Sequence, residues 1–266
     1  MYSFGEKHPI IFEIILTTVS FLAAGIIVAA TSLYMHPDLC SSVARVVVAA
    51  ALLVIYRRAF KGQNHFRNLK IVLPLLLFSV WNVFYNLSSG MVFGGAYYFI
   101  EGAITAIAPA LFEEVLFRGI FIYNLKKKGH DDFSCLFFSA IVFAAMHMTN
   151  LVGQSFNTVA LQSAYSLVVG LAFGAVYLRN NSIVQVIVAH FLIDFTNRIY
   201  LEQAASASYV HIAIFVALLV AEAVYAIRLT MAGQRTESEG QSGDSLNVSS
   251  SLSGERSGSK SSDRFL

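Results

Sequence analysis

The chain has 266 residues, of which 56% are hydrophobic and only 13% are charged. That charged share is about half of what soluble domains carry, which excludes an ordinary soluble globular protein. The net charge of +2 gives no strongly basic surface, so we expect no nucleic-acid partner. Composition therefore predicts an integral membrane protein surrounded by the lipid bilayer.

Eight apolar segments are candidate membrane spans, for which a helix needs roughly 20 apolar residues. We predict them at about 10–34, 40–56, 69–87, 98–125, 134–150, 158–178, 182–200 and 208–231. The first run is longer than the apolar core of a signal peptide, so we interpret it as a retained helix. The sequence thus predicts an all-α, polytopic transmembrane bundle of about eight spans over residues 1–231.

Positive charge alternates between the two sides of this predicted bundle. Lys and Arg cluster after the second and fourth spans, and Arg179 follows the sixth. In an eight-helix chain these loops lie on one side, which the positive-inside rule assigns to the cytoplasm together with both termini. Arg45 and Arg198 are the exceptions, within the second and seventh spans. Cys40 and Cys135 fall on opposite sides in this topology, so we expect no disulfide.

The composition changes after the last apolar segment. Residues 232–266 are rich in Ser, Gly and charge, with almost no large apolar side chains before the end. Such a segment cannot bury enough surface to offset its chain entropy. We therefore predict a disordered cytoplasmic tail.

Three ionisable residues stand close together in the fourth predicted span, namely Glu113, Glu114 and Arg118. A charge near the bilayer centre costs about 3 kcal/mol, so these groups must face protein or water. Glu114 and Arg118 are four residues apart and can form a structural ion pair, with a direct catalytic role as the alternative. Glu113 points about 100° away around the helix, so such a pair does not explain it.

Two later spans carry further polar residues, His147 in the fifth and His190 with Asp194 in the seventh. Counted from the predicted cytoplasmic helix ends, these residues and Glu113 lie at depths of about 12 to 20 Å. Similar depths on three helices predict one shared polar cavity. Phe143, one turn before His147, is expected to form part of its wall.

Two chemistries remain open for this set of residues. A carboxylate with a neighbouring imidazole can deprotonate water, while His and a second polar group donate hydrogen bonds to an oxyanion. Glu, His, His and Asp are also acceptable ligands of a single divalent metal such as zinc, with an open position for water. The expected cofactor is therefore either none or one metal ion held by Glu113, His147, His190 and Asp194.

Three motifs in the chain resemble, in order, the signature of the CPBP family. That family comprises CAAX-processing type II endopeptidases and the bacteriocin-processing or bacteriocin-immunity proteins, also called Abi proteins. The resemblance extends from Pro109 to about Asn197, within motif-bearing helices at about 98–200. The motifs are Glu113-Glu114-x-x-x-Arg118, Phe143-x-x-x-His147 and His190-x-x-x-Asp194.

The resemblance implies an α-helical intramembrane endopeptidase. By position, Glu113 matches the glutamate that activates water, and His147 assists it. His190 and Asp194 match the pair that stabilises the oxyanion. Eukaryotic prenyl-protein enzymes carry Asn in place of Asp194, and an ionised Asp cannot donate a hydrogen bond. Asp194 is therefore protonated, orients His190 or binds metal, and Asn197 is an alternative donor.

The resemblance also implies partners and a location. The substrate would be a membrane-associated peptide or protein, and we expect a bacterial-type member in the plasma membrane. One alternative is a non-catalytic membrane partner, such as a bacteriocin-immunity protein, that binds a peptide in the same cavity. A transporter is less favoured, because the chain shows no internal repeat. The sequence makes no prediction of the oligomeric state.

Overall fold

A computed structural model of the chain describes residues 2–63, 68–201 and 208–257. The N-terminal part holds a short helix followed by two long ones. A proline opens each long helix, where its missing N–H needs no partner. Two 3-10 turns then lead into a fourth helix. The helices are α1 (Tyr2–Lys7), α2 (Pro9–Thr31), α3 (Pro37–Ile55) and α4 (Leu76–Ser88), and the turns are Leu69–Ile71 and Leu73–Leu75.

The central part is one long helical stretch with a change of hydrogen-bond pattern inside it. Helix α5 (Gly95–Glu114) passes into a π-helix (Val115–Phe121) and then into α6 (Ile122–Lys128). π-Helical turns are rare and occur frequently at functional sites. Gly129 ends the stretch in the left-handed conformation, with φ of 93°.

Four further elements complete the bundle. Helix α7 (Asp132–Met146) starts at Asp131, whose carboxylate accepts a hydrogen bond from the backbone N–H of Ser134 at 2.6 Å. A 3-10 helix follows at once. The remaining elements are this 3-10 helix (His147–Val152), α8 (Phe156–Asn180), α9 (Ile183–Arg198) and α10 (Tyr209–Ser257).

The helical bundle predicted from composition is confirmed. In the described part of the chain, six helical segments are long and apolar enough to cross a membrane. Two of the eight predicted spans are not among these six segments. One is the stretch from α5 to α6, which carries the ionisable residues. The other is α9, which has only 16 residues. The count of about eight and the cytoplasmic termini stay predictions. The six segments are Pro9–Thr31, Pro37–Ile55, Leu69–Ser88, Asp132–Val152, Phe156–Asn180 and Tyr209–Gln234.

Helices α2 and α10 form apolar outer faces of the bundle. In the most apolar 18-residue part of each helix, 22% of the residues of α2 and 11% of those of α10 are buried within the protein. Their exposed residues are large and aliphatic, such as Ile14 and Leu22 on α2 and Val216 and Val220 on α10. Lipid chains satisfy such surfaces, because they are as apolar as the side chains themselves.

Two buried apolar clusters flank the middle of the bundle. The first cluster includes Phe78, Leu125, Phe173, Val186 and Ile193. The second includes Phe12, Leu52, Phe112, Phe117 and Phe143. Because Phe143 and Phe173 belong to different clusters, the space between their rings is a boundary where polar groups can be enclosed by packed side chains.

Close backbone approaches hold the helices of the site together. A Cβ added to Gly170 of α8 would lie 3.1 Å from Phe143 Cδ1 and 3.3 Å from Ala140 Cα, so this glycine lets α7 approach α8. The start of α5 is tied to the end of α9, because Gly94 N–H donates to the Ile199 carbonyl at 2.9 Å. The helix that carries Glu113 and the helix that carries His190 are thereby fixed side by side.

The C-terminal segment and the cysteines bear on two further predictions. Helix α10 continues to Ser257, into the segment whose composition predicts disorder. The disorder of 232–266 stays a prediction, and 258–266 lie outside the described residues. Cys40 and Cys135 are buried free thiols.

Candidate active site

A cavity of about 360 Å³ lies between α3, α5, α7, α8 and α9. Its volume falls within the range of about 300–1,000 Å³ that is usual for ligand pockets. Glu113, His147, His190 and Asp194 all line it. The structure thus places around one cavity the four side chains that the sequence singled out on three separate helices.

A buried ion pair closes one side of the site. Arg118 Nη1 donates to Glu114 Oε1 at 2.8 Å, and both side chains are fully buried. Arg118 Nη2 donates to the Gly170 carbonyl at 3.1 Å. The guanidinium lies 4.4 Å from the ring centre of Phe143 and 5.4 Å from that of Phe173. The predicted pair therefore exists and occupies the boundary between the two apolar clusters.

Glu114 has a second partner, which the spacing of residues did not predict. Its Oε1 contacts His190 Nδ1 at 2.9 Å. Because a carboxylate only accepts hydrogen bonds, Nδ1 carries the proton and donates. This contact directs the other ring nitrogen, Nε2, away from Glu114. The buried Glu114 carboxylate thus both pairs with Arg118 and orients the His190 imidazole.

The Nε2 atom of His190 lies between two other carboxylates. It is 3.9 Å from Glu113 Oε2 and 3.9 Å from Asp194 Oδ2. These distances are too long for direct hydrogen bonds, so they leave room for a small group among the three side chains. The imidazole plane is held by Phe173, at 5.3 Å between ring centres, and by Phe143, at 6.2 Å.

His147 enters the cavity from the first position of the 3-10 helix. Its Nδ1 donates to the Phe143 carbonyl at 3.0 Å, which leaves Nε2 available to a reactant. The Phe143 ring stands edge-on to the His147 imidazole at 5.1 Å and lines the cavity. Phe143 therefore lies where the sequence placed it, in the wall of the site.

Asn197 stands apart from this group. Its side chain is exposed, and its Oδ1 accepts a contact from Asn86 Nδ2 at 3.5 Å. It is not among the residues that line the cavity. The role of Asn197 as an alternative donor stays a prediction.

Comparison with known proteins finds one matching family. The model of a family described as Rce1-like, type II CAAX prenyl endopeptidase, matches residues 95–196. This segment runs from the first residue of α5 almost to the end of α9 and contains all three motifs. Residues 95–196 are therefore similar to type II CAAX prenyl endopeptidases, which is consistent with the CPBP family. No significant match was found among curated proteins or among solved structures.

The family match and the six apolar helical segments support an integral multi-pass membrane protein. The family match supports a protease of the CAAX type. The segments before Gly95 lie outside the matched region, although α3 contributes to the cavity wall. The complete cavity therefore depends on helices of the matched region and on a helix that precedes it.

The spacing of the four cavity residues bears on whether they can hold a metal ion. Zinc ligands lie about 2.0–2.2 Å from the ion, so two of them are at most about 4.4 Å apart. Among the described residues, three potential ligand atoms come within 4.8 Å of one another at His36, Asp38 and Glu101, and not at the cavity.

Sequence reasoning missed two cations of the cavity, Arg45 from α3 and Arg198 from the end of α9. The available signal was their exceptional position in the charge pattern of the predicted spans. The positive-inside rule predicts few cations on this side of the membrane. A cation found there therefore calls for a local explanation.

Proposed function

We propose that this protein is an intramembrane endopeptidase of a bacterial plasma membrane, which hydrolyses a peptide bond in a membrane-associated peptide or protein. The family match supports the class of enzyme. The observation that carries the proposal is the position of His190 Nε2, which lies 3.9 Å from the carboxylates of both Glu113 and Asp194. A water molecule and a carbonyl group fit the chemistry of this space.

Glu113 acts as the general base in this proposal. Its carboxylate removes a proton from a water molecule, whose oxygen then attacks the carbonyl carbon of the scissile bond. His147 assists from across the cavity through its free Nε2. The proton taken from water is delivered to the leaving amine, so the reaction consumes one water and leaves the enzyme unchanged.

His190 stabilises the oxyanion that forms during the attack. When the ring carries both protons, Nε2–H points into the cavity and donates to the developing negative charge. Glu114 holds the ring from the opposite nitrogen at 2.9 Å. Asp194 either donates to the oxyanion in its protonated form or orients His190 in its ionised form.

A divalent metal such as zinc remains the alternative for the same residues. Activity that survives exhaustive chelation supports the mechanism that uses only glutamate and histidine. Activity that chelation abolishes and added zinc restores supports the metal mechanism instead.

The test compares cells that express the wild-type protein or Glu113→Gln at equal levels. Peptides and membrane proteins are quantified in both by mass spectrometry. We expect a processed product with the wild type and at least a hundredfold less with the variant, because a general base contributes about 10²–10⁴-fold. Glu101→Gln is the matched control, since Glu101 lies on the same helix and does not line the cavity.

Two outcomes would contradict the proposal. Full activity of Glu113→Gln would exclude Glu113 as the base. No difference in processing between wild type and a folded variant would favour a non-catalytic membrane partner that binds a peptide in the cavity.

A further inference from the structure

A second polar cavity, of about 320 Å³, lies at the end of the bundle that carries the clustered lysines and arginines. We call it the basic pocket, after the three cations that line it, Arg58, Lys61 and Lys126. It shares no lining residue with the cavity that holds Glu113. Its residues come from the segment after α3, from the ends of α6 and α8 and from the start of α7. Because helices end there, the basic pocket lies where the bundle meets the headgroup region of a bilayer.

The charges that line the basic pocket favour an anionic ligand. Against the three cations stands one carboxylate, that of Asp132. Lys126 Nζ donates to Asp132 Oδ1 at 2.8 Å, so this carboxylate is paired within the pocket itself. Lys61 has no ion pair within 4.0 Å among the residues that the structure describes. The pocket therefore keeps a net positive charge, which attracts anions.

Membrane topology alone does not account for this arrangement. The positive-inside rule requires positive charge in these loops, but it does not require the charges to meet in an ordered cavity. The segment after α3 is held in place by Gln63, which accepts from Ile183 N–H at 3.0 Å and donates to Tyr177 Oη at 3.2 Å. The ring of Phe60 packs over Gly119 of the π-helix, in the space that a Cβ would occupy. Two cations of the basic pocket are thus carried by an anchored segment.

The inner wall of the basic pocket is apolar and suits a lipid. Ile122 and Tyr177 line it and are 1% and 5% exposed. Tyr123 lines it as well, and tyrosine is typical of the membrane interface. The volume of about 320 Å³ corresponds to about ten water molecules at ~30 Å³ each. That space accommodates a phosphate with a glycerol group.

Exposed apolar side chains continue from the basic pocket along the two helices that border it. Val54 and Ile55 end α3 just before the anchored segment, and Phe137 and Ile141 follow the start of α7. Acyl chains can cover such side chains at no cost, because both are apolar. A soluble phosphate ester gains nothing from this surface, whereas a phospholipid does.

We propose that the basic pocket binds the headgroup of an anionic phospholipid, with its phosphate against Arg58 and Lys61 and its acyl chains along α3 and α7. Arginine binds phosphate through two parallel N–H···O bonds, and lysine supplies a point charge. Basic pockets between transmembrane helices suit anionic headgroups for this reason. The proposal does not depend on peptide hydrolysis, so either function can hold without the other.

The experiment measures binding to the full-length protein in micelles of an uncharged detergent, by isothermal titration calorimetry. The probes are dioctanoyl phosphatidylglycerol, dioctanoyl phosphatidylcholine and glycerol 1-phosphate. We expect phosphatidylglycerol to bind at least tenfold more tightly than phosphatidylcholine, whose ammonium group offsets the charge of its phosphate. Lys61→Gln should weaken the binding of phosphatidylglycerol about fivefold, the usual contribution of one lysine near an anionic lipid, and leave that of phosphatidylcholine unchanged.

Lys128→Gln is the matched control. It removes one exposed cation from the same end of the bundle, and Lys128 does not line the basic pocket. We expect this variant to change the affinity for phosphatidylglycerol less than twofold. Glycerol 1-phosphate separates a lipid from a soluble phosphate ester, because it carries the phosphate without acyl chains. We expect it to bind at least tenfold more weakly than phosphatidylglycerol.

The proposal can be overturned with or without a variant. Equal affinities of the wild-type protein for phosphatidylglycerol and phosphatidylcholine would exclude an anionic site. An unchanged affinity in folded Lys61→Gln, or equal losses in Lys61→Gln and Lys128→Gln, would show that the basic pocket is not where the lipid binds. Glycerol 1-phosphate that binds as tightly as phosphatidylglycerol would assign the pocket to a soluble phosphate ester instead.

Discussion

Glu114 is the side chain on which the structure of the site depends most. It is fully buried, and one of its oxygens contacts both Arg118, at 2.8 Å, and His190, at 2.9 Å. A structural ion pair and a contribution to function are therefore not alternatives for this residue. Glu114 touches no reacting atom in the proposed mechanism, so it is a positioning residue for His190.

Replacing Glu114 by Gln should destabilise the protein by about 3–5 kcal/mol. The change keeps the size of the side chain but leaves Arg118 as an uncompensated buried charge. The measurement is thermal or denaturant unfolding in detergent. The double variant Glu114→Gln/Arg118→Met should lose less stability than Glu114→Gln alone, since the unpaired charge is gone. A larger loss in the double variant would show that the ion pair is not the source of the effect.

At the scale of helices, apolar length predicted which elements exist, but not their internal hydrogen bonding. Segments that are apolar on every face carry no periodic signal that separates an α-helix from a π-helix. The π segment from Val115 and the 3-10 helix from His147 were therefore not predicted. Hydropathy did predict a span at 182–200, where the structure has α9, but the 16 residues of this helix are few for a membrane span.

Only one coordinate of the site residues, their depth along each helix, could be predicted from the sequence. Depth along each helix follows from the residue count, and it correctly suggested that Glu113, His147 and His190 could meet. Rotation about each helix axis depends on packing between distant segments. Depth alone could not show that Arg45 lines the cavity and that Asn197 does not.

The contact between α7 and α8 yields a prediction at this scale. Gly170→Ala should destabilise the protein by about 1–3 kcal/mol, because the added methyl meets the Ala140 backbone and the Phe143 ring beside the cavity. Unfolding and peptide hydrolysis are both measured, and both should decrease. Gly174→Ala is the matched control with a smaller effect, since its added methyl meets a terminal methyl of Leu136, which can move. Equal losses in the two variants would contradict this account of the contact.

The whole molecule has two chemically different ends. One end carries a surface ion pair between Lys126 and Asp132 at 2.8 Å, and Arg179 lies beside Asp132 and Gly233. None of the Lys and Arg residues in 57–70, 126–132 or 178–183 lines the cavity, among the residues described. The cavity instead reaches Gln154 and Arg198, which lie at opposite helix ends from this basic region. From the positive-inside rule we therefore predict a cavity entrance on the extracytoplasmic side.

Cysteine labelling in intact cells tests this orientation. Gln154→Cys should react with a membrane-impermeant thiol reagent added from outside, whereas Lys127→Cys should react only after permeabilisation. Both positions are exposed, and the natural Cys40 and Cys135 are buried, which keeps the background low. The opposite labelling pattern would reverse the orientation and place the entrance in the cytoplasm.

The π-helix at Val115–Phe121 affects how α6 is rotated relative to Glu114, so the number of residues between them matters. Each of its turns takes up an additional residue, because its hydrogen bonds run from i to i+5. A regular α-helix drawn through the same residues would turn α6 by about 100° for each additional residue, relative to the carboxylates before it. A helical wheel drawn with α-helical periodicity through the whole stretch therefore places the residues after Phe121 on the wrong face relative to Glu113 and Glu114.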